Sequence, residues 1–289
     1  MQNYKTNCFK RDDLFIKCGN HCINFQNPVV MGILNLTPDS FFDGGNYRNE
    51  KSILKRAEQI ITEGASIIDL GAYSTRPGAK QVSTEEEYKR MQPAVKSIRR
   101  EFPNTILSID TFRAEIAKRI VEEFGACVIN DISGGTMDKE MFQVIGKLQV
   151  PYILMHIQGM PQDMQDNPIY HDIIKEILDF FQQRIKLLKE FGAKDVIIDP
   201  GFGFGKTLDH NYEIISKLKI FTKLKCPLLV GVSRKSMIYK FLGGDPTTSL
   251  NGTTALNMFA LDSGASLLRV HDVREAVDCV RLYTKIKSF

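Results

Sequence analysis

The chain has 289 residues, of which 43% are apolar, and its 38 Lys and Arg residues outnumber 34 Asp and Glu residues by four. This composition is typical of a soluble globular protein and excludes a disordered tail or a small disulfide-stabilised scaffold. The charge excess is too small to indicate a nucleic-acid partner, and no apolar run reaches the roughly 18 residues of a membrane span.

The first segment, residues 1–28, is predicted to be an N-terminal extension that covers one end of the main domain. It contains Cys18, His21 and Cys22, the only metal-like grouping in the sequence. A zinc site needs about four ligands, and no second nearby pair completes one. The six irregularly spaced cysteines therefore predict free thiols and a cytoplasmic location.

Eight short apolar runs follow, rich in β-branched residues and apolar on both faces, as in parallel strands that are buried on both sides. The segments between them have the periodicity of amphipathic helices. Ile53, Ala57 and Ile60 share one such face, and Ser83 with Glu86 forms a capping-box pattern where the next helix begins. The runs are 29–34, 66–68, 105–109, 127–129, 152–155, 196–198, 228–230 and 266–268.

Eight strand–helix units in one domain, residues 29–289, predict an α/β fold of the (β/α)8 TIM-barrel type. An open doubly wound sheet also alternates strands and helices and is the alternative. The eight units fill almost the whole chain, which favours the closed barrel, and no Pro-, Gly- or Ser-rich linker divides it.

A polar or charged residue follows each apolar run. Because the active sites of barrel enzymes form at the carboxyl ends of the strands, these side chains are predicted to meet on one rim. A single polar residue there is usually a cap or turn former, but eight together indicate a polar pocket. They are Asn35, Asp69, Asp110, Asn130 with Asp131, His156, Asp199, Ser233 to Lys235, and Arg269 with His271.

The predicted pocket has two electrostatic halves. One half is basic and suits an anion such as phosphate, since guanidinium forks match phosphate oxygens. The other half carries two carboxylates and an amide, which suit a heterocycle with several N–H donors. The basic half comprises Arg76, Lys235, Arg269 and His271, and the other comprises Asp110, Asn130 and Asp199.

The glycine-rich stretch DPGFGFGKT, residues 199–207, nearly matches a phosphate-binding P-loop. Pro200 occupies its first glycine position, so we interpret the stretch as a tight strand–helix loop where backbone approaches a ligand. Phe202 is predicted to be core, and Phe204 is either core or pocket wall. A second loop, within residues 31–45, is long for such a connection and predicts a lid.

Seven segments, in this order, closely resemble the dihydropteroate synthase family: MGILNLTPDSFFDGG, STRPGA, INDISGG, LMHIQGMP, DPGFGFGKTLDHNY, GVSRKSMI and RVHD. The resemblance implies a (β/α)8 transferase of folate biosynthesis. Such an enzyme joins (7,8-dihydropterin-6-yl)methyl diphosphate to 4-aminobenzoate and releases 7,8-dihydropteroate and diphosphate. The resemblance further implies Mg²⁺ as cofactor and a homodimer.

The same resemblance implies roles for individual residues. Asn35 would hold the metal, Lys235 would reach the pterin oxygen and a ring nitrogen, and Asp110 would stabilise a cationic intermediate. Asp110 and Lys235 are therefore the catalytic candidates. The pterin would contact Asp110, Asn130 and Asp199; the diphosphate would contact Arg76, Arg269 and His271; the aminobenzoate would contact Phe41, Thr75, Pro77, Phe204 and Ser236; Val270 completes the predicted substrate-binding set.

The chain departs from the family pattern at Ala72-Tyr73, where many members have Gly-Glu, and at Phe42, where many have Ser. These positions bear on the shape of the aminobenzoate pocket and not on the reaction.

Two other functions remain as alternatives. A pterin-binding methyltransferase would share the pterin acids but would have no use for the STRP and SRKS loops. An inactive pterin-binding paralogue would have lost Asn35, Arg76, Lys235 or His271, and all four are present.

Overall fold

The computed structural model describes residues 14–36, 46–73, 82–161 and 163–289. Two short strands precede the barrel, and eight further strands coincide with the predicted apolar runs. They are β1 Phe15–Cys18, β2 His21–Asn24, β3 Val29–Asn35, β4 Ile67–Gly71, β5 Ile106–Asp110, β6 Val128–Asp131, β7 Tyr152–Met155, β8 Val196–Asp199, β9 Leu229–Val230 and β10 Leu267–Val270.

The eight later strands form one sheet in the order β8-β7-β6-β5-β4-β3-β10-β9, and every adjacent pair is parallel. A parallel bridge between Ile198 and Leu228 joins the two ends of this order. The sheet therefore closes on itself. The predicted (β/α)8 barrel is confirmed, and the open doubly wound sheet is excluded because its edges would stay apart.

Helices follow the barrel strands and pack around them. The helix start predicted at Ser83 is confirmed, because its side chain accepts a hydrogen bond from the Glu86 backbone N–H at 3.2 Å. The helices are α1 Asn46–Thr62, α2 Thr84–Glu101, α3 Ala114–Phe124, α4 Met141–Leu148, α5 Ile173–Glu190, α6 Leu208–Ser216, a 3-10 helix Leu218–Leu224, α7 Ser236–Leu242, α8 Leu250–Asp262 and α9 Val273–Lys287. Throughout the described ranges, each helix is too short or too polar to serve as a transmembrane span.

The barrel interior has two layers. Ile67 and Asp69 lie two residues apart on β4, and since strand side chains alternate between faces, both point inward. Ile67 belongs to an apolar cluster near the amino ends of the strands, whereas Asp69 lies toward the carboxyl ends. The same step relates Val128 to Asn130, Ile197 to Asp199 and Leu267 to Arg269. We call the first members the apolar layer and the second members, together with Asp110 at the end of β5, the polar layer.

The β1–β2 hairpin covers the amino end of the barrel. Its strands pair antiparallel from Phe15 with Asn24 to Cys18 with His21. Ile16, Ile23 and the fully buried Phe25 pack into the same cluster as the apolar layer. The hairpin thus keeps water out of that end of the interior. The division into residues 1–28 and 29–289 stays a prediction.

The metal-like grouping of the extension is split by this hairpin. Cys18 is buried while Cys22 is exposed, and both are free thiols. Among the described residues, no three His, Cys, Asp or Glu side chains are grouped so that they could hold a metal ion.

Candidate active site

Arg269 joins the acidic side chains of the polar layer. Its Nε donates to Asp69 Oδ2 at 2.7 Å, and its Nη2 donates to Asp110 Oδ2 at 2.8 Å. Asn130 Nδ2 donates to both oxygens of Asp69, at 3.2 and 3.3 Å. The two electrostatic halves that the sequence suggested are therefore linked through one guanidinium.

Burial controls the protonation of this cluster. It raises the pKa of Asp110 to about 7, although Arg269 opposes the rise. It also disfavours the charge on Arg269, but the Asp69 and Asp110 carboxylates hold the pKa of that guanidinium above its ordinary value. Carboxyls that have lost their water gain most from a ligand that brings N–H donors, because buried acceptors are costly to leave unpaired.

Asp199, at the end of β8, is tied to the loop that follows it. Its Oδ1 accepts the Gly201 backbone N–H at 2.8 Å. Burial raises the pKa of Asp199, and the nearby ammonium of Lys235 opposes this. Asp199 thus has one oxygen fixed by its own loop, and its carboxylate lies within electrostatic reach of Lys235.

Lys235, after β9, contacts the same loop. Its Nζ donates to the Phe202 carbonyl and lies 4.7 Å from the centre of the Phe204 ring. Burial lowers the pKa of Lys235 to about 8, with Asp199 acting in the opposite direction. Phe202 is fully buried, which confirms the prediction of a core residue. Phe204 is half-buried beside the cation, so it is a wall residue.

An apolar wall flanks these polar groups. Ile132, Met155, Ile157 and Met164 are buried and pack together with Phe204. The sequence reasoning missed this wall, although Ile132 and Ile157 directly follow rim residues. Such a surface suits the face of a flat ring whose edge binds to carboxylates.

His271 lies after β10 and is held by two neighbours. Its Nδ1 is 3.1 Å from Ser233 Oγ, which also accepts the His271 backbone N–H at 3.1 Å. Arg56 Nη2 donates to the His271 carbonyl at 2.8 Å. Burial, assisted by Arg269, lowers the pKa of His271 to about 4. The imidazole is therefore neutral at neutral pH and offers an anion an N–H group instead of a positive charge.

A cavity of about 510 Å³ opens beside His271. Asn35 at the end of β3 lines it, together with Arg56 and Arg234. Arg234 is exposed, and its Nε donates to Asp272 Oδ2 at 3.0 Å. Asp272, the residue before α9, pairs with Arg234, and its side chain makes no capping bond to the helix. The cavity is thus rich in polar and basic groups.

Comparison with known proteins agrees with this geometry. Residues 31–271 match the family described as pterin binding enzyme. A dihydropteroate synthase of Escherichia coli (strain K12) is 42% identical over 262 residues, covering 90% of this chain and 92% of that protein. The chain belongs to the dihydropteroate synthase family. A relative from Synechocystis with the same name is 44% identical over 251 residues, or 86% of each chain.

Solved dihydropteroate synthases have the same fold. The Yersinia pestis enzyme, in complex with a sulfonamide drug, gives a TM-score of 0.89 at 38% identity, covering 96% of this chain and 100% of that one. The Xanthomonas albilineans enzyme with 4-aminobenzoic acid gives 0.87 at 34% identity, covering 95% and 98%.

The family's motif residues lie on several elements of this structure. The polar layer holds Asp110, Asn130, Asp199 and Arg269, while Ser236 directly follows Lys235 as the first residue of α7. Val270 is buried in a separate apolar cluster that joins the outer face of the strands to the helices, so any contact of its own with substrate comes from its backbone. Phe41, Phe42, Thr75, Arg76 and Pro77 lie outside the described residues.

Tyr73, one of the departures from the family pattern, lies in an aromatic and charged contact. Its ring packs edge-on against Phe112, with centroids 5.2 Å apart, and the Arg113 guanidinium lies 5.5 Å from it. Arg113 also donates to the buried Glu87 and to the Val82 carbonyl. One guanidinium therefore contacts residues on both sides of segment 74–81.

The sequence reasoning missed several supporting residues. Asp69 was placed on the rim but given no role, yet it is the partner of both Arg269 and Asn130. Arg56 gave no signal, because a single charged residue at the edge of an amphipathic helix face is ordinary, although here it is half-buried and reaches the His271 carbonyl. Lys206 gave a misleading signal through the near P-loop pattern.

Proposed function

We propose that this chain is a dihydropteroate synthase, a transferase of folate biosynthesis. It condenses (7,8-dihydropterin-6-yl)methyl diphosphate with 4-aminobenzoate to give 7,8-dihydropteroate and diphosphate. The observation that carries the proposal is the convergence of buried carboxylates, an amide and Lys235 on one rim of the barrel, in the family's own motif positions.

The pterin binds in the polar layer. Its amidine-like edge presents adjacent N–H donors, which a carboxylate accepts as a pair. Asp199 and Asp110 are the acceptors, and Asn130 offers both an acceptor and a donor. Lys235 donates to the pterin oxygen and a ring nitrogen. A ligand without this edge would leave buried acceptors unpaired, so the layer selects for a pterin.

The diphosphate binds where the polar layer meets the cavity. His271 offers an N–H group, and Arg269 offers Nη1, the guanidinium nitrogen that neither Asp69 nor Asp110 uses. Arg76 is predicted to close on the same group from its loop. This placement separates the leaving group from the ring while both stay bound.

The residues at this cavity fit Mg²⁺. The Asn35 side chain supplies an amide oxygen, a hard ligand, on the wall that His271 also lines. Mg²⁺ commonly takes one or two protein ligands and completes its shell with water and substrate phosphates, so a dedicated protein cage is not required. When bound, the ion acts as a Lewis acid that neutralises charge on the departing diphosphate.

The chemical step is dissociative. The carbon–oxygen bond to diphosphate breaks first, and the methylene cation is delocalised into the pterin ring. Asp110 stabilises that positive charge from a site with little water. The amine of 4-aminobenzoate then forms the new carbon–nitrogen bond and loses a proton, with Phe204 and Ser236 orienting its ring. Heavy-atom isotope effects at the methylene carbon and bridging oxygen that indicate concerted displacement would contradict this order.

The reaction itself is tested by diphosphate release. Purified protein is mixed with the pterin diphosphate and Mg²⁺, and release is measured with and without 4-aminobenzoate. We expect release that depends on aminobenzoate, with dihydropteroate formed in equal amount. Failure to form dihydropteroate when aminobenzoate is present, or no release of diphosphate, would overturn the proposed function.

We further infer a homodimer formed by the last three helices. Phe241 on α7, Phe259 on α8 and Leu282 on α9 leave 65%, 48% and 61% of their surfaces exposed on neighbouring helices. Exposed apolar groups on adjacent elements are typical of interaction surfaces. Sedimentation should give a dimer, and Phe259→Glu with Leu282→Glu should give a monomer. Phe191→Glu, an exposed site at the end of α5, is the control.

We place the enzyme in the cytoplasm. Cys18, Cys22, Cys127, Cys226 and Cys279 are all free thiols, and unpaired thiols at this number are typical of reducing compartments. Fractionation of the source cells should recover the chain with cytoplasmic markers.

A further inference from the structure

Lys206, the lysine of the near P-loop pattern, points into the protein. Only 3% of its surface is exposed. Its Nζ donates to the carbonyls of Phe204 at 2.9 Å and His156 at 3.2 Å, and lies 3.0 Å from His156 Nδ1. Three acceptors match the three protons of an ammonium group. The side chain is therefore fully used inside the molecule and is not available to a phosphate.

His156 is suited to accept this ammonium. Burial, with Lys206 acting in the same direction, holds the pKa of His156 well below its ordinary value. The ring is therefore neutral, and the contact assigns its proton to Nε2 so that Nδ1 accepts. The His156 backbone N–H donates to the Asp199 carbonyl at 3.0 Å, which fixes the residue to the end of β8.

Lys206 closes a contact between two stretches of backbone. The glycine loop, residues 201–205, runs directly against residues 156–158. A Cβ at Gly201 would lie 2.0 Å from the His156 carbonyl oxygen, and one at Gly205 would lie 2.2 Å from that of Gln158. Both glycines also have positive φ angles, 71° and 62°. Only glycine allows this approach, and the ammonium ties the two stretches together.

Side chains from two other segments hold the same loop. Gln165 Nε2 donates to the Gly203 carbonyl at 2.6 Å, and Asn211 Oδ1 accepts the Gly203 N–H at 2.7 Å. Tyr170 Oη donates to the Gly205 carbonyl at 2.8 Å. The loop is thus a fixed platform, and it carries the Phe202 carbonyl and the Phe204 ring that contact Lys235.

Burying an ammonium group costs free energy because the charge loses its water. Burial lowers the pKa of Lys206 well below its ordinary value, with the Asp199 carboxylate opposing the change. An apolar side chain of similar volume would avoid that cost. What the ammonium adds is direction, because three donors fix three acceptors relative to one another.

We propose that Lys206 is a positioning residue for the aminobenzoate half of the reaction. Its ammonium clamps the glycine loop onto His156, so that Phe204 and the Phe202 carbonyl keep their places against Lys235. This proposal rests on the proposed function for the identity of the second substrate. Three of the four pterin contacts, Asp110, Asn130 and Asp199, lie on β5, β6 and β8, whose positions depend on strand pairing and not on this loop. Loss of the clamp should therefore affect aminobenzoate selectively.

The test compares Lys206→Met with wild type in the intact enzyme. Lys206→Met keeps the length of the side chain and removes all three hydrogen bonds. We expect the KM for 4-aminobenzoate to rise about ten-fold, as weakened placement of one reactant implies. The Kd of the pterin diphosphate, measured with Mg²⁺ by calorimetry, should change by less than about three-fold, a change of under about 0.7 kcal/mol. Lys219→Met, on the exposed side of the 3-10 helix, is the control and should match wild type.

The outcomes separate the proposals. Equal losses for both substrates, or an unchanged aminobenzoate KM in folded Lys206→Met, would overturn the clamp. If that variant fails to fold, Tyr170→Phe removes one loop hydrogen bond without touching a charge, and it should raise the same KM two- to five-fold; no rise would overturn the clamp. A wild-type protein that forms no dihydropteroate when aminobenzoate is present would overturn the proposed function and the clamp with it.

Discussion

The two ends of the barrel interior are built from the same strands, yet one is lined by apolar side chains and the other by charged and polar ones. Ile67 and Asp69 are both fully buried, and only two residues separate them on β4. At the amino end, loss of water stabilises the fold. At the carboxyl end, the same loss costs free energy and is tolerated because Arg269 and Asn130 satisfy the carboxylates. The barrel thus uses dehydration for stability at one end and for binding at the other.

The largest expected effect lies at the apolar end. Phe25→Ala should lower the free energy of unfolding by about 3–5 kcal/mol, because it opens a cavity under the barrel. The KM values and kcat of the folded protein should stay within two-fold. Urea denaturation and steady-state kinetics measure the two. If Phe25→Ala weakened pterin binding and left the free energy of unfolding unchanged, the amino end would not serve stability in the way described.

The second-largest effect is expected at the carboxyl end of β8. Asp199→Asn keeps the acceptor for Gly201 but removes the charge, so pterin affinity should fall about 100-fold, or about 3 kcal/mol. Stability should change little, since burial already opposes that charge. Asp195→Asn, just before β8, is the matched control at the amino end. Calorimetry measures the pterin affinity of both variants. Equal losses of affinity in Asp199→Asn and Asp195→Asn would contradict the expected difference between the two ends of β8.

Asp69 tests whether the polar layer acts as a unit. Asp69→Asn should lower kcat/KM for the pterin diphosphate by about 30-fold, or about 2 kcal/mol, because Arg269 loses one of its two anchors. A double-mutant cycle with Asn130→Ala measures their coupling. Additive effects would show that the bonds between them do not matter for binding.

The smallest effect is a pH dependence of stability. Burial lowers the pKa of His271 to about 4 from an ordinary value of 6.5. A depressed pKa means that the stabilisation is complete above pH about 6.5 and is lost as pH falls through about 4. As pH falls from 7 to 4, the free energy of unfolding should therefore decrease by about 1–2 kcal/mol less in His271→Asn than in wild type, a value that allows for the partial exposure of the imidazole.

Unfolding curves at pH 4, 5, 6 and 7 test the His271 contribution. His156, which is buried and neutral as well, should keep part of the slope in the variant. Identical slopes for wild type and His271→Asn would exclude a contribution from His271.

The positions of strands and rim residues could be predicted because both depend on local rules. Buried parallel strands leave apolar runs, and their carboxyl ends meet on one rim, so Asp110 and Asp199 could be placed together. Even the shortest strand, Leu229–Val230, fell within its predicted run.

Pairing across the barrel could not be predicted in this way. Arg269 and Asp69 are 200 residues apart, and their contact depends on the closure and tilt of the whole sheet. Lys206 is a second example, because its direction is set by a carbonyl 50 residues earlier. The roles given to Thr75 and Arg76, and the lid within residues 31–45, stay predictions.

The pairing of β3 with β10 has a consequence for how the chain is made. The first and last barrel strands lie side by side, with Val29 opposite Leu267. During synthesis, one edge of β3 therefore waits unpaired until nearly the whole chain has left the ribosome. An open strand edge invites pairing with other chains, so the nascent protein is most prone to aggregate just before closure. Truncation ahead of β10 should yield insoluble material, and chaperone demand should peak late in translation.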